Sequence, residues 1–366
     1  MYDSSKPFIE FKNVTKTFDS FKALDNITLT IPQGCFMTLL GPSGCGKTTL
    51  MRQLAGFSEP DSGDIYIKGI RVNGLPPYKR NTPLVFQEYA LFPHMTVKEN
   101  ITYGLKLKNT DKESVGRRFD EMLKMFNLAG MEQRFPKQLS GGQQQRVAFA
   151  RALIMGQEVL LLDEPLSNLD AKLRVEVRTE LRQIQRKLGI TTIYVTHDQD
   201  EALSMSDLIA VMRAGKIEQV GTPWQIYFKP ENRFAADFVG TVNFMDVVIS
   251  GLFEDRLLIN WQGSAISMNR MDYVLNPGEE ASLIVRPEYI SLRPAANNES
   301  ADQENSLRGE ILFYSFLGRF IRYWIKVKNQ TFIVDDSNPS LSGAIEGEVI
   351  IALDRNKLHL LRNSKS

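Results

Sequence analysis

Cysteine is nearly absent from this chain of 366 residues: Cys35 and Cys45 stand alone. Two cysteines close in sequence make no disulfide framework and suit a reducing compartment. Histidine is almost as scarce, with three residues. His94 and His359 have no partners at metal-ligand spacing, so no structural zinc is expected and both read as surface or packing residues. An excess of either charge is also missing. Lys and Arg total 44 against 43 Asp and Glu, which leaves no global basic field to draw nucleic acid or acidic lipid. No uninterrupted apolar run approaches the ~18–20 residues that span a bilayer. The opening MYDSSKPFIEF lacks the basic and apolar regions of a signal peptide. The expectation is a chain that does not cross a membrane by itself.

What is present is length enough for two domains and two successive patterns. The first ~235 residues alternate short apolar runs with amphipathic helices, the pattern of an α/β core with a mainly parallel sheet. Phe36–Leu40, Val159–Leu162 and Thr192–Val195 are near-continuous apolar runs, as expected of strands covered on both faces. Between them, Val97–Leu107, Glu113–Asn127 and Gly142–Met155 read as helices, a block spanning roughly 88–155. Asp170 to Leu188 is a further helix. Leu173, Val177, Leu181, Ile184 and Leu188 make its apolar stripe, and Gly189 stops it. From about 240, short alternating segments appear between Gly, Pro, Asn and Asp, an all-β pattern of small barrels. The expected division is 1–238 and 239–366. Residues 294–306 are polar and without period, the pattern of a mobile loop.

The chemistry concentrates at the ends of the apolar runs, where ligands gather in such sheets. After Leu40 stands Gly41-Pro42-Ser43-Gly44-Cys45-Gly46-Lys47-Thr48, a G-x-x-x-x-G-K-[ST] phosphate loop, which opens a helix with Thr49. Its glycines let successive N–H groups face phosphate oxygens, Lys47 adds a point charge, and Thr48 offers a hydroxyl to Mg²⁺. Cys45 sits among those N–H groups, which can lower a thiol's pKa. A small residue tolerated in the loop is the plainer reading. The second run ends in Asp163-Glu164-Pro165: the first carboxylate suits Mg²⁺, and the second can polarise water beside a γ-phosphate. His197 follows the third run and would reach the same phosphate. Gln87, at the junction with the helical block, carries an amide able to ligate Mg²⁺ or orient water. Leu139-Ser140-Gly141-Gly142-Gln143, followed by Arg146, reads as a helix N-terminus with Ser140 as cap and glycine N–H groups open to an anion.

Together the phosphate loop and LSGGQ resemble the ATP-binding-cassette family. The resemblance covers roughly residues 8–240 and includes Gln87, Asp163-Glu164, Asp170 and His197. It implies that LSGGQ of one copy closes over ATP held by the phosphate loop of a second copy, head to tail, with ATP and Mg²⁺ as cofactors. Phe18 resembles the aromatic that stacks on adenine there, with Phe21 a competing candidate. Gly221–Tyr227 and Phe238-Val-Gly240 look like the end of the cassette in importer ATPases. Arg286-Pro287-Glu288 resembles the signature of their OB-like regulatory domains. The implied fold is an α/β P-loop ATPase domain with a helical subdomain, followed by an all-β OB-like domain. The implied partners are membrane permease subunits and, indirectly, a solute-binding protein, at the cytoplasmic face of the membrane. Gln87-Glu-Tyr-Ala-Leu-Phe-Pro-His94 leans towards the polyamine and ferric-iron branches, with phosphonate, sulfate and sugar importers as alternatives.

Two rival classes fit less well. Chromosome and DNA-repair ATPases need a long coiled coil between the phosphate loop and LSGGQ, and no such insertion separates Thr48 from Leu139. Translation factors of this family usually carry two cassettes, and one is found here. The C-terminal region could bind RNA as OB barrels sometimes do. Its most suggestive stretch, Phe316–Trp324, alternates as a strand with one buried face would. Nucleic acid is therefore not an expected partner.

Overall fold

The computed structural model describes residues 3–270, 273, 275–296, 304–340 and 343–362. They form two compact units, one up to Trp224 and one from Gln225 onward. In chain order the first runs β1 (Asp3–Phe18), β2 (Phe21–Gln33), β3 (Phe36–Leu40), α1 (Lys47–Ala55), β4 (Ser62–Ile67), β5 (Ile70–Arg71), α2 (Pro77–Arg80), β6 (Leu84–Val85) and α3 (Val97–Leu107). It continues with α4 (Lys112–Met125), a 3-10 turn at Pro136–Gln138, α5 (Gly141–Leu153), β7 (Val159–Asp163), α6 (Ala171–Leu188), β8 (Thr191–Thr196), α7 (Gln199–Met205), β9 (Leu208–Arg213) and β10 (Lys216–Gly221).

The central sheet has the order β10-β9-β3-β8-β7-β6, parallel except for β10. Its inner strands β3, β7 and β8 are buried along their whole length. Successive side chains point to opposite faces of a strand, and each face here meets its own core. Phe36, Leu160, Leu162 and Tyr194 pack with the helical block around Ile101, Phe119 and Phe149. Met37, Leu39, Leu161, Ile193 and Val195 pack on the other side with Leu50, Leu54 and Ile31.

That second core is closed by an element the sequence reading does not contain. β2-β1-β4-β5 form a separate antiparallel sheet. Its signal is alternation: Ile27, Leu29 and Ile31 are buried while Thr28 and Thr30 are exposed, the mark of a sheet with one wet face. Helix α6 follows its stripe closely. The Asp170 carboxylate caps it by accepting from Leu173 N (3.0 Å), and Gly189 ends it at φ 63°.

The second unit takes in most of α8 (Pro223–Phe228), then α9 (Arg233–Phe238), β11 (Asn243–Leu252), β12 (Arg256–Trp261), β13 (Ser264–Asn269), β14 (Glu280–Val285) and β15 (Ile290–Pro294). After these come β16 (Ser306–Phe316), β17 (Ile321–Val327), β18 (Gln330–Asp336), β19 (Glu348–Leu353) and β20 (His359–Arg362). Two five-stranded antiparallel sheets result, β13-β12-β11-β14-β20 and β15-β19-β16-β17-β18. They share one core, where Trp261 meets Phe332 edge-on at 5.5 Å. Of the stretch expected to be a mobile loop, Pro294 belongs to β15 and Ser306 to β16, while 297–303 lie outside the described residues. Ile321, Tyr323 and Ile325 of β17 alternate into the core. Arg286 is a buried bracket rather than a surface charge. Its guanidinium donates to the carbonyls of Tyr227, Ala236, Gly240 and Thr241 and lies 4.4 Å from the Tyr227 ring.

Candidate active site

β3, β6, β7 and β8 run parallel, so their carboxyl ends deliver the phosphate loop, Gln87, Asp163-Glu164 and His197 to one edge of the sheet. The phosphate loop is shaped by glycines that no other residue can replace without movement. At Gly46, φ is 106° and a Cβ would come within 2.5 Å of the Ala23 carbonyl; at Gly41 it would meet the Met212 carbonyl at 2.3 Å. Helix α1 begins at Lys47 with no side chain capping it. Its first N–H groups and the positive end of its dipole are therefore available to an anion. Lys47 is buried, and its Nζ donates to the carbonyls of Gly41 (2.8 Å) and Pro42 (2.9 Å). Pro42, Ser43 and Gly44 form the open side of the loop.

The structure joins two pairs of predicted residues. Thr48 Oγ1 donates to Asp163 Oδ1 at 3.0 Å, although 115 positions separate them. Burial pushes the Asp163 carboxyl up, opposed by that hydrogen bond and by Arg52. At the very next residue, Glu164 Oε1 lies 3.2 Å from His197 Nδ1. Glu164 is held with φ at 45°, a left-handed conformation that costs a non-glycine residue of order 1–3 kcal/mol. Its N–H donates to the Val195 carbonyl (3.1 Å) and its own carbonyl accepts from Ser167 Oγ (2.9 Å). Backbone strain of this kind clusters at functional sites.

The site fits a nucleoside triphosphate with magnesium. A glycine cradle and an uncapped helix suit phosphate oxygens, and a hydroxyl beside a carboxylate suits a hard cation. Mg²⁺ keeps most of its shell as water and phosphate oxygen and asks little of the protein. Among the described residues no group of three or more His, Cys, Asp and Glu could cage a metal.

Gln87 stands exposed beyond β6, and its carbonyl accepts from Asn168 Nδ2 (3.1 Å). Its side chain makes no hydrogen bond to the two pairs above. Phe18 and Phe21 face each other across the β1–β2 turn, and both are exposed, 49% and 57%; neither is a core aromatic. Ser140 caps α5 in a reciprocal box: its Oγ accepts from Gln143 N (3.4 Å), and Gln143 Oε1 accepts from Ser140 N (2.9 Å). Ser140 and Gly141 are exposed, whereas a Cβ on Gly142 would press on Leu173 at 2.9 Å. Thr49 lies on α1, and Asp170 spends its carboxylate as the α6 cap. The Cys45 thiol is raised, not lowered, because burial outweighs Lys47; Cys35 is pushed up to about 12 by the same cause.

Three contributors escape sequence reading because their partners are backbone carbonyls, which leave no trace in residue type. Asn168 holds Gln87, the buried Gln145 amide donates to the Pro165 carbonyl (3.0 Å), and Arg151 reaches the segment after Gln87.

Comparison with known proteins bears on both parts of the chain. The family model for ABC transporter matches residues 24–167, and that for the TOBE domain matches residues 283–361. The chain is 46% identical over 323 residues to the spermidine/putrescine import ATP-binding protein PotA of Pseudomonas aeruginosa (strain UCBPP-PA14), covering 88% of each. It is 42% identical over 361 residues, 99% of each chain, to PotA of Desulfitobacterium hafniense (strain Y51). It is also 46% identical over 328 residues to the Fe(3+) ions import ATP-binding protein FbpC of Rhizobium etli (strain ATCC 51251 / DSM 11541 / JCM 21823 / NBRC 15573 / CFN 42), covering 89% of this chain and 90% of that one. Among solved structures, the dimeric post-hydrolysis state of the ATP-binding cassette MJ0796 with ADP and Pi is 34% identical. It matches 59% of this chain and 98% of its own, with a TM-score of 0.53. On site, fold and likeness together, this chain belongs to the ABC transporter family, as one of its ATP-hydrolysing subunits.

Proposed function

We propose that this subunit couples ATP binding and hydrolysis to solute import across the cytoplasmic membrane, with a polyamine or ferric iron as cargo. The observation that carries the reading is that both parts of the chain, the cassette and the C-terminal TOBE-matching unit, are shared with import ATP-binding proteins. The chain works from the cytoplasmic face, against permease subunits that receive cargo from a solute-binding protein. None of the described helices is long and apolar enough to cross a membrane, which suits a peripheral place. The functional division is 1–238 for the ATPase and 239–366 for regulation.

Two copies pair head to tail. In each, Gly41 to Thr49 hold the phosphates of ATP, with Phe18 against the adenine. Ser140, Gly141, Gly142 and Gln143 close over the partner's nucleotide, and Asp170 lies beside that junction. Thr48, Asp163 and Gln87 would hold Mg²⁺. When bound, the ion would supply positive charge that offsets the phosphate oxygens' negative charge, which otherwise repels an incoming nucleophile. Glu164 takes the proton of the attacking water, and His197 orients Glu164 and the γ-phosphate. Gln87 moves with the helical block and so ties the site to the permease.

Uptake decides the matter. Cells lacking this chain are complemented with the wild type or with Glu164→Gln, and import of labelled spermidine, putrescine and ferric iron is measured. Restoration of one cargo by the wild type alone supports the reading. Unchanged uptake of all three on deletion refutes the proposed cargo.

A further inference from the structure

Beyond Gln87 the backbone does something uncommon. Tyr89 and Ala90 are consecutive and neither is glycine, yet both lie in the left-handed region, with φ 60° and 46°. Side chains of L residues crowd the carbonyl there, so two in succession persist only where the surroundings over-determine them. Here the determinant is Arg151, in the last turn of α5. Its guanidinium donates to the Tyr89 carbonyl (3.0 Å) and the Ala90 carbonyl (2.8 Å), and sits 5.3 Å from the Phe92 ring centroid. A planar fork matches two adjacent carbonyls in a way that a lysine cannot.

The same segment carries a second unfavourable feature. The Tyr89 ring is buried, 6% exposed, in the core that also holds Val97 and Ile101, and its hydroxyl has no protein partner. A buried hydroxyl without a partner costs free energy, and a shift of the segment would relieve it together with the backbone strain. Meanwhile Asn168, from the loop between β7 and α6, holds the Gln87 carbonyl. Gln87 is thus gripped on one side by the hydrolytic loop, and two residues later by α5.

We propose that Arg151 is a positioning residue that latches the Gln87 segment in its strained arrangement. Helix α5 has Ser140 as its cap and Arg151 near its end, joined by one unbroken run of helix. Displacement of the Ser140 end by the partner's nucleotide therefore reaches Gln87 of the same chain's own site. This inference rests on the reading of Gln87 given above.

The test uses the full chain with Arg151→Met and the milder Arg151→Lys, which keeps the charge and one hydrogen bond should the first variant fold poorly. Amide hydrogen exchange over residues 88–92 should speed up about tenfold in Arg151→Met, with β7 and β8 unchanged, and less in Arg151→Lys. The Mg²⁺ concentration for half-maximal ATP hydrolysis should rise about tenfold as well. Glycine accepts φ > 0 without strain, so adding Ala90→Gly to Arg151→Met should recover about half of each effect. Combining Arg151→Met with Gln87→Ala should add little to Gln87→Ala alone. Unchanged exchange at 88–92 in both Arg151 variants overturns the latch, and so do effects of Arg151→Met and Gln87→Ala that multiply independently. A Gln87→Ala variant with wild-type Mg²⁺ dependence instead overturns the role given to Gln87. The exchange readout separates the two failures, because it does not involve the Gln87 side chain.

Discussion

Glu164 Oε1 and His197 Nδ1 lie 3.2 Å apart, on residues 33 positions apart that end neighbouring parallel strands. Their meeting is set by backbone. The register pairs Asp163 with Val195, and the Glu164 N–H closes onto the Val195 carbonyl. Glu164 itself is held at φ 45° beside that contact.

Glu164→Gln keeps the shape of the side chain and removes the carboxylate proposed as base. Turnover should fall by about 10²–10⁴, while ATP affinity and head-to-tail dimerisation survive. Steady-state phosphate release and equilibrium nucleotide binding check the two halves separately. Wild-type turnover in the variant would remove Glu164 from the chemistry.

Asp163→Asn separates stability from function. Burial raises the Asp163 carboxyl above its ordinary value, so carrying its charge costs more in the folded chain than in the unfolded one. The neutral amide, still able to accept from Thr48, should leave the nucleotide-free Tm equal or higher. The stabilisation that Mg-ATP gives the wild type, about 2.7 kcal/mol at a hundredfold excess over Kd, should be largely lost. Thermal unfolding with and without Mg-ATP reads both.

Glycines in the phosphate loop are not equivalent. Gly46→Ala places a Cβ 2.5 Å from a backbone carbonyl at φ 106°, which the loop can meet only by moving. Gly44→Ala has φ 78° but open space around it, and should cost about 1 kcal/mol of backbone strain. Nucleotide binding should vanish in the first variant and persist, weakened, in the second. Equal binding by both would show that the close approach at Gly46 is of no consequence.

The C-terminal unit should lose stability in mild acid. His359 is half-buried, accepts at Nδ1 from the Tyr273 hydroxyl (2.8 Å), and donates from Nε2 to the Pro230 carbonyl (2.9 Å). Burial lowers its pKa below the ordinary 6.5. Between that lowered value and 6.5 the unfolded chain binds the extra proton. Stability is therefore full above 6.5 and declines as pH falls through the folded-state pKa. His359→Phe, which cannot take up the proton, should flatten the slope of denaturant midpoint against pH over that window. An unchanged slope would place the acid sensitivity elsewhere.

Much of the first unit was legible because its signals are local. Phe36–Leu40 forms β3 with the bounds read from the sequence, Val97–Leu107 forms α3 likewise, and Asp170 and Gly189 bracket α6. A phosphate loop announces itself because glycine, lysine and threonine must follow in one order for backbone amides, a charge and a hydroxyl to converge. The antiparallel sheet of β1, β2, β4 and β5 was not legible, since strand pairing is a matter between distant segments and alternation does not name its partner. The segment after β15 mixes strand ends with polar residues that carry no period, so composition spoke there and pairing did not.

By itself, then, the sequence determined the chemistry available and the helices and strands that bear it, because residue type and spacing act within a few positions along the chain. Tertiary structure alone decided which of those groups meet. Thr48 finds Asp163 and Glu164 finds His197 only because β3, β8 and β7 run side by side in parallel. Arg151 and Asn168 grip the Gln87 segment through carbonyls that every residue possesses. A side chain's identity shows what it can donate, and only the fold shows which backbone oxygen is near enough to accept.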